Sequence, residues 1–391
     1  MSCLENTNRF LYTYPHVLLL RSKYMKIVLD KELLHDGMQT ASRFTSKRLS
    51  TIQSLQGALL TVEKDTIQIF ATNLNTHFVT TIPVKLSGKG AIRVVVDPKK
   101  IAEFLALLSP GDVALEIDEK KITLQKEKNH GTFPVMEEGD FPKPPIITQK
   151  PLILNADHFK KHLPLILFAA SRDESRPALS GVNFVANGSD LITVSTDGFR
   201  LSLMKDKNTQ NMPSVLIARG FLEEVLQGVK DEKTIEFGFL EKEKTVWFKG
   251  AEKLYFSRVI EGSFPPYEKV IPVEKKQTIT TDKDELLRNI KIASLFAREQ
   301  SNIVVFAASK GILTIKPKTD SSDENNSSQD AEVEGEEIPV AFNARFLLEF
   351  LQAVPGKKVT VELLRSDAPV VFRSDSLKNF LHIIMPVRIQ V

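Results

Sequence analysis

One cysteine, Cys3, and one tryptophan stand in 391 residues. The scarcity of cysteine excludes an intramolecular disulfide and any zinc or iron-sulfur centre built on thiolates, which suits a reducing compartment. Long apolar runs are missing too. The longest aliphatic stretches are only a few residues, such as Val17 to Leu20, where a membrane helix needs about 20 and a secretory core about 7 to 15. The expected address is cytoplasmic, with no membrane partner. No Walker loop, G-x-G-x-x-G, G-x-S-x-G or H-E-x-x-H occurs, which removes the common signatures of nucleotide, dinucleotide, hydrolase and zincin chemistry. His158 and His162 stand four residues apart in DHFKKH but lack the intervening glutamate and flank two lysines, so no metal site is expected. Asp197 in STDGFR could serve as nucleophile or base, yet its hairpin-turn position favours a structural role. Neither catalytic residues nor a cofactor are expected.

What is present describes a globular chain: 42% hydrophobic and 26% charged residues, in roughly two to four domains at about 100 to 200 residues each. The net charge of +3 hides an asymmetry. Residues 320–337 carry eight acidic side chains and no basic one, and the remaining 41 acidic against 52 basic residues leave the rest of the chain at +11. So polar and acidic a run buries too little apolar surface to offset its ordering entropy, and it reads as a solvated acidic loop.

The chain repeats itself. Phe141-Pro142 in GDFPKPP recurs as Phe264-Pro265 in GSFPPYEKVIP, 123 residues later, and the chain closes on HIIMPVRI. Helix-like segments begin at Ile101, Phe221 and Phe346, and others open each unit at Lys31, Ala156 and Asp282. Between them runs such as TIQIFAT, LITVST and GILTIKP alternate at period two, the mark of antiparallel strands with one buried face. Thr196-Asp197-Gly198-Phe199 carries the Asp-Gly pair that type I′ hairpins prefer. A repeat of about 122 residues with two helices and many short strands is an α+β module, too long for a solenoid. The spacing predicts domains over 25–147, 148–272 and 273–391, with 1–24 outside the repeat as a disordered extension.

The helices carry cations on one stripe. On a 3.6-residue period Arg288, Lys291 and Arg298 cluster opposite Leu286, Leu287, Ile290 and Leu295, and His158, Lys161 and Arg172 share a face if one helix runs through Pro164. Lys99, Lys100, Arg219 and Arg345 stand near the starts of the second helices. Recurring basic helices make a surface that can meet a phosphate backbone without reading bases.

RPALSG, TVSTDGFRLSL, EGSFPPYEKVIP and the terminal MPVRI resemble the bacterial DNA polymerase III beta subunit, or DNA sliding clamp, family, and the likeness spans Met25 to Val391. The resemblance implies an α+β fold of three repeated clamp-type domains, each with two helices packed on antiparallel sheets, and a head-to-tail homodimer closed into a ring around duplex DNA. It implies a processivity factor, not an enzyme, that binds double-stranded DNA without sequence preference. Replicative polymerase, clamp loader and repair proteins would dock in turn through short linear peptides. Arg48, Arg176 and Arg219 would face DNA by this likeness, and the stripe argument adds Lys47, Lys99, Arg172, Lys291 and Arg298. The peptide cleft would comprise Leu179, Thr196, Gly198, Phe199, Arg200, Leu201, Pro265, Lys269, Val270, Pro369, Val370, Ile383, Met385, Pro386, Val387 and Arg388. Its apolar members would seat a partner's Leu or Phe anchors, while Arg200 or Arg388 would bond peptide carbonyls or a carboxylate. Phe133 and Val135 would meet Leu295 and Phe296 across the dimer seam. Two other readings compete with this one: an enzyme using Asp197, and a monomeric peptide-binding module that never closes.

Overall fold

The computed structural model describes residues 24–46, 52–86, 90–297, 302–318 and 325–388. The expected extension up to residue 23 lies outside them, as do Lys47, Arg48 and Arg298. The first strand begins at Tyr24, inside the span expected to precede the repeat.

Three stretches of chain repeat one order of elements. The first holds β1 (Tyr24–Asp30), α1 (Lys31–Phe44), β2 (Ala58–Glu63), β3 (Thr66–Thr72), β4 (Thr76–Pro83), β5 (Lys85–Leu86), β6 (Ala91–Val96), α2 (Pro98–Ala106), β7 (Asp112–Asp118), β8 (Lys121–Lys126) and β9 (Asn129–Pro134). Next come β10 (Leu152–Asn155), α3 (Ala156–Leu167), β11 (Gly181–Asn187), β12 (Asp190–Thr196), β13 (Arg200–Lys207), β14 (Val215–Ala218), α4 (Arg219–Gly228), β15 (Thr234–Leu240), β16 (Thr245–Gly250) and β17 (Lys253–Arg258). The last has β18 (Gln277–Asp282), α5 (Lys283–Ala297), β19 (Ile303–Ser309), β20 (Ile312–Pro317), β21 (Ser327–Gly335), β22 (Val340–Asn343), α6 (Ala344–Ala353), β23 (Lys358–Leu363), β24 (Val370–Ser374) and β25 (Leu377–Ile384).

Every one of these helices follows a strand directly, and the junction residue explains why the chain turns helical there. Asp30, Asp97, Asn155, Asp282 and Asn343 each accept a backbone N–H from the first turn of the following helix, satisfying donors that no intrahelical carbonyl can reach. Pro98 adds a preset φ to α2. Ala218 has no such side chain, and Arg219 N instead donates to Ser180 O at 3.0 Å.

The chain divides into two compact units. One comprises Met1–Leu154 with Asp231–Arg258, the other Asn155–Lys230 with Val259–Val391. The middle repeat is therefore shared between them. In the first unit an eight-stranded sheet runs β10-β15-β16-β17-β4-β3-β2-β6 beside a five-stranded sheet β5-β1-β7-β8-β9. Its core includes Phe70, Val79, Trp247 and Phe256. In the second a twelve-stranded sheet runs β14-β11-β12-β13-β25-β24-β23-β18-β21-β20-β19-β22. Strands of successive repeats pair at one place in each unit, β4 with β17 and β13 with β25.

The acidic run departs from its expectation. Ser327–Gly335 is a strand, paired through Ser327–Asp330 with β20 and through Ala331–Gly335 with β18. Gln329 and Ala331 turn inward while Asp330, Glu332 and Glu334 face solvent, an alternation that the net acidity concealed. Gln329 holds it: Nε2 donates to Thr281 Oγ1 at 2.7 Å and Oε1 accepts from Asn289 of α5 at 2.9 Å. Lys358 Nζ neutralises Glu332 at 2.7 Å. Two further differences concern helices. α3 continues through Pro164 but stops at Leu167, so Arg172 lies beyond its face. Leu295, expected opposite the basic stripe, is 61% exposed.

Candidate functional site

The β12-β13 hairpin organises the first surface. Gly198 holds φ +93°, a left-handed conformation that favours glycine, whereas Asp197 does not share it, so the turn has a single left-handed residue rather than the expected I′ pair. Asp197 flanks the turn and locks it. Its Oδ1 accepts from Phe199 N and Arg200 N at 2.9 and 3.0 Å, and its Oδ2 from Arg200 Nε at 3.0 Å. Thr196 Oγ1 adds bonds to Arg200 O at 2.6 Å and from Gly198 N at 3.0 Å. The carboxylate is spent on local structure, which answers the suggestion that it is a base.

Arg200 corrects a second expectation. Its residue is only 6% exposed. The guanidinium lies between the rings of Phe346, 4.7 Å away, and Phe168, 5.5 Å away. Nη1 stands 2.5 Å from Glu349 Oε2, an ion pair off the hydrogen-bond line. Burial would raise the pKa of Glu349, but Arg345, through a 2.7 Å bond, and Arg200 together hold it below the usual carboxylate range. Arg200 therefore fastens the hairpin to α6, and its burial keeps the guanidinium from the surface that a peptide would meet. Arg388, by contrast, is exposed.

Beside the turn, Arg200 pairs with Ile384 and Leu201 with Ile383 across β13 and β25, and Met385 N donates to Phe199 O at 2.8 Å. Leu201 and Ile383 pack with Val194, Leu203, Tyr267 and Val371, flanked by Phe264, Ile271 and Leu381. Of the predicted set, Leu179, Thr196, Leu201, Val370 and Ile383 are buried and serve the core beneath. Pro369, Met385, Pro386 and Val387 are half-buried; Gly198, Phe199, Pro265, Lys269 and Val270 lie open, Phe199 at 61%. An aromatic left open beside half-buried Met and Pro is surface that a partner can cover. Sequence reasoning quoted the F-P-P-Y motif but passed over Tyr267, whose ring packs on Phe264 at 6.3 Å and whose phenol is pushed up to about 12 by burial and then by Glu268.

The predicted cations are not equivalent. Lys99, Arg172, Arg176 and Lys291 are exposed. Arg219 is committed: Nη1 donates to Ala170 O and Nε to Glu223 Oε1, both at 2.8 Å, leaving its side chain 12% exposed. Its register with the following helix made it look free in sequence, but its neighbour across the fold consumes it. Apolar exposure marks another region. On α5, Ile292, Leu295 and Phe296 are 47%, 61% and 44% exposed, and Ile292 escaped the sequence reading. Phe133 is half-buried against Phe104 at 5.6 Å, and Val135, just past β9, is half-buried as well.

The described residues include no helix long and apolar enough to cross a membrane. Family models of the DNA polymerase III beta subunit match in chain order, the N-terminal domain over residues 25–145, the central domain over 153–266 and the C-terminal domain over 268–388. The beta sliding clamp of Bacillus subtilis is 25% identical over 378 residues, spanning 93% of this chain and 100% of that relative. The Thermotoga maritima beta subunit structure shares the fold at TM-score 0.85 and 23% identity, covering 94% of this chain and 100% of the other. A Pseudomonas aeruginosa sliding clamp bound to griselimycin does so at TM-score 0.82 and 19% identity, covering 93% and 100%. Three clamp-domain models matched in chain order over most of the sequence support one conclusion: the chain belongs to the DNA polymerase III beta subunit family, that of the beta sliding clamps, and is a polymerase processivity subunit rather than a catalyst.

Proposed function

We propose that two copies of this chain close head to tail into a ring around duplex DNA, which tethers a replicative polymerase, clamp loader and repair proteins by short peptides. The observation that carries the reading is a repeated join. β4 pairs with β17, and β13 pairs with β25. The corresponding strand of the last repeat is β21, whose Ser327–Asp330 stretch has β20 on one side. In the first repeat β9 ends its sheet as an open edge. A second copy supplies the missing join twice, pairing β21 of each copy with β9 of the other and hiding four unpaired edges.

Charge and apolar surface favour that pairing. β21 exposes Asp330 and Glu334, with Glu332 held by Lys358, while the β8-β9 hairpin carries Lys126, Lys128 and His130 around a single Glu127. Phe133 and Val135 would meet Leu295 and Phe296 beside it. Within such a ring Lys99, Arg172, Arg176 and Lys291 would face DNA together with Lys47, Arg48 and Arg298, whereas Arg219 would act chiefly by holding α4 to Ala170. Encirclement needs only sequence-independent, screened attraction, strong enough to centre the duplex and weak enough to slide. A polymerase tied to the ring rebinds at a high effective concentration instead of escaping. Phe199, Met385, Pro386 and Arg388 would form the contact edge of the peptide cleft over the Leu201-Ile383 core.

The test is retention on DNA after loading by a clamp loader. The ring should stay on a nicked circle through a rise in salt and leave within the time of sliding once the circle is cut. Equal residence on circular and linear DNA would overturn encirclement.

A further inference from the structure

His158 and His162 share one face of α3, and on sequence alone the pair has no third ligand and two discouraging lysines. The fold supplies the third ligand and draws one of the lysines away. Asp206 comes from β13 to stand beside the two rings. His162 Nδ1 lies 2.8 Å from His158 Nε2, and His158 Nε2 lies 3.6 Å from Asp206 Oδ2. All three donor atoms fall within 4.8 Å of one another. Of the two lysines between the histidines, Lys160 is drawn away, bonding Asp157 and Lys230 O, each at 3.0 Å, while Lys161 is exposed to solvent; Lys205 and Lys207, which flank Asp206, both pair with Asp190, at 2.9 and 2.7 Å.

We infer that His158, His162 and Asp206 form a binding site for a divalent ion of the zinc class, with the remaining coordination positions open to water.

Donors 2.8 and 3.6 Å apart, each about 2.1 Å from a common centre, subtend angles of about 84° and 118°, on either side of the tetrahedral angle of zinc. Two imidazoles and one carboxylate suit zinc, cobalt, nickel or copper and suit oxygen-seeking magnesium or calcium poorly. The carboxylate is already aimed. Asn379 of β25 donates Nδ2–H to Asp206 Oδ1 at 2.7 Å, leaving Oδ2 on the side of the rings, as second-shell partners of metal ligands do. Without an ion the two ring nitrogens share a single hydrogen bond. The His158 side chain is 51% exposed and that of Asp206 22%, so an ion can enter from solvent.

The experiment titrates the full chain, without an affinity tag, with Zn²⁺ alone in competition with a chromophoric chelator. One equivalent per chain should bind, with affinity falling at least tenfold in His158→Gln and in His162→Gln. Asn379→Ala, which touches only the carboxylate, should weaken binding about tenfold by loss of positioning. Co²⁺ should give a ligand-field absorption band that disappears in His162→Gln. Metal-free melting of each variant at the wild-type temperature shows that the fold is kept. Absence of stoichiometric zinc binding overturns the site, and so does a pair of histidine variants that bind as the wild type does, since the ion would then sit elsewhere.

Discussion

The join between β4 and β17 contains a histidine that should make the first unit sensitive to acid. His77 stands directly across from Phe256 in the paired strands. Its ring stacks on Phe70 at 6.2 Å and meets Phe256 edge-on at the same distance. Nδ1 is buried without a hydrogen-bond partner. Burial lowers the pKa of His77 from 6.5 to about 4, because an imidazolium there would lose its hydration and gain nothing in return. An unfolded chain takes up this proton near pH 6.5, and the folded chain refuses it until about pH 4. Between those values the unfolded state binds more protons, so stability complete above pH 6.5 is lost as the pH falls. About 2.5 pK units at about 1.36 kcal/mol each give a loss of about 3 kcal/mol. Trp247 is the only tryptophan and lies in the same core as Phe70 and Phe256, so urea unfolding followed by its fluorescence reads this unit. Compared at about pH 7 and about pH 4.5, wild-type protein should lose about 2–3 kcal/mol more than His77→Phe, whose ring fits the same aromatic slot. Equal losses in the two proteins would refute the reasoning.

The join between β13 and β25 should behave alike: His382 faces Ser202, bonds its Oγ at 2.8 Å, and is driven well below its ordinary pKa by full burial and then by Arg200, so a second acid-labile transition should vanish from calorimetry of His382→Gln. Replacing Arg200 by alanine should destabilise the second unit by about 3 kcal/mol in urea, since it strips the partly buried Glu349 of one cation while Arg345 remains. Arg388→Ala should leave that midpoint within about 0.5 kcal/mol yet weaken binding of a Leu- and Phe-anchored peptide by fluorescence polarisation. Gly238→Ala drives a methyl group into the Trp247 indole and should cost about 1–3 kcal/mol with a shifted emission maximum. In sedimentation, Leu295→Asp with Phe296→Asp should reduce the particle from twice the chain's 43.9 kDa to that mass.

Local chemistry determined a great deal before any packing was known. Period-two runs marked the strands, and Asp or Asn between strand and helix set most of the helix starts, because a capping side chain acts within three residues of itself. The repeat was legible for the same reason: each module carries its own caps, turns and alternation. In residues 320–337 summed charge hides the alternation of Gln329, Ala331 and Val333, and whether such a segment pairs depends on β18, well upstream in sequence, as well as on the neighbouring β20. Tertiary structure alone decided what each polar group spends its bonds on. Arg200 and Arg219 looked available until Glu349 and Ala170 were brought to them, and His158 with His162 looked idle until Asp206 arrived from another strand. Sequence spacing reports which residues share a face, but the partner that satisfies a charge or completes a ligand set is chosen by long-range strand pairing.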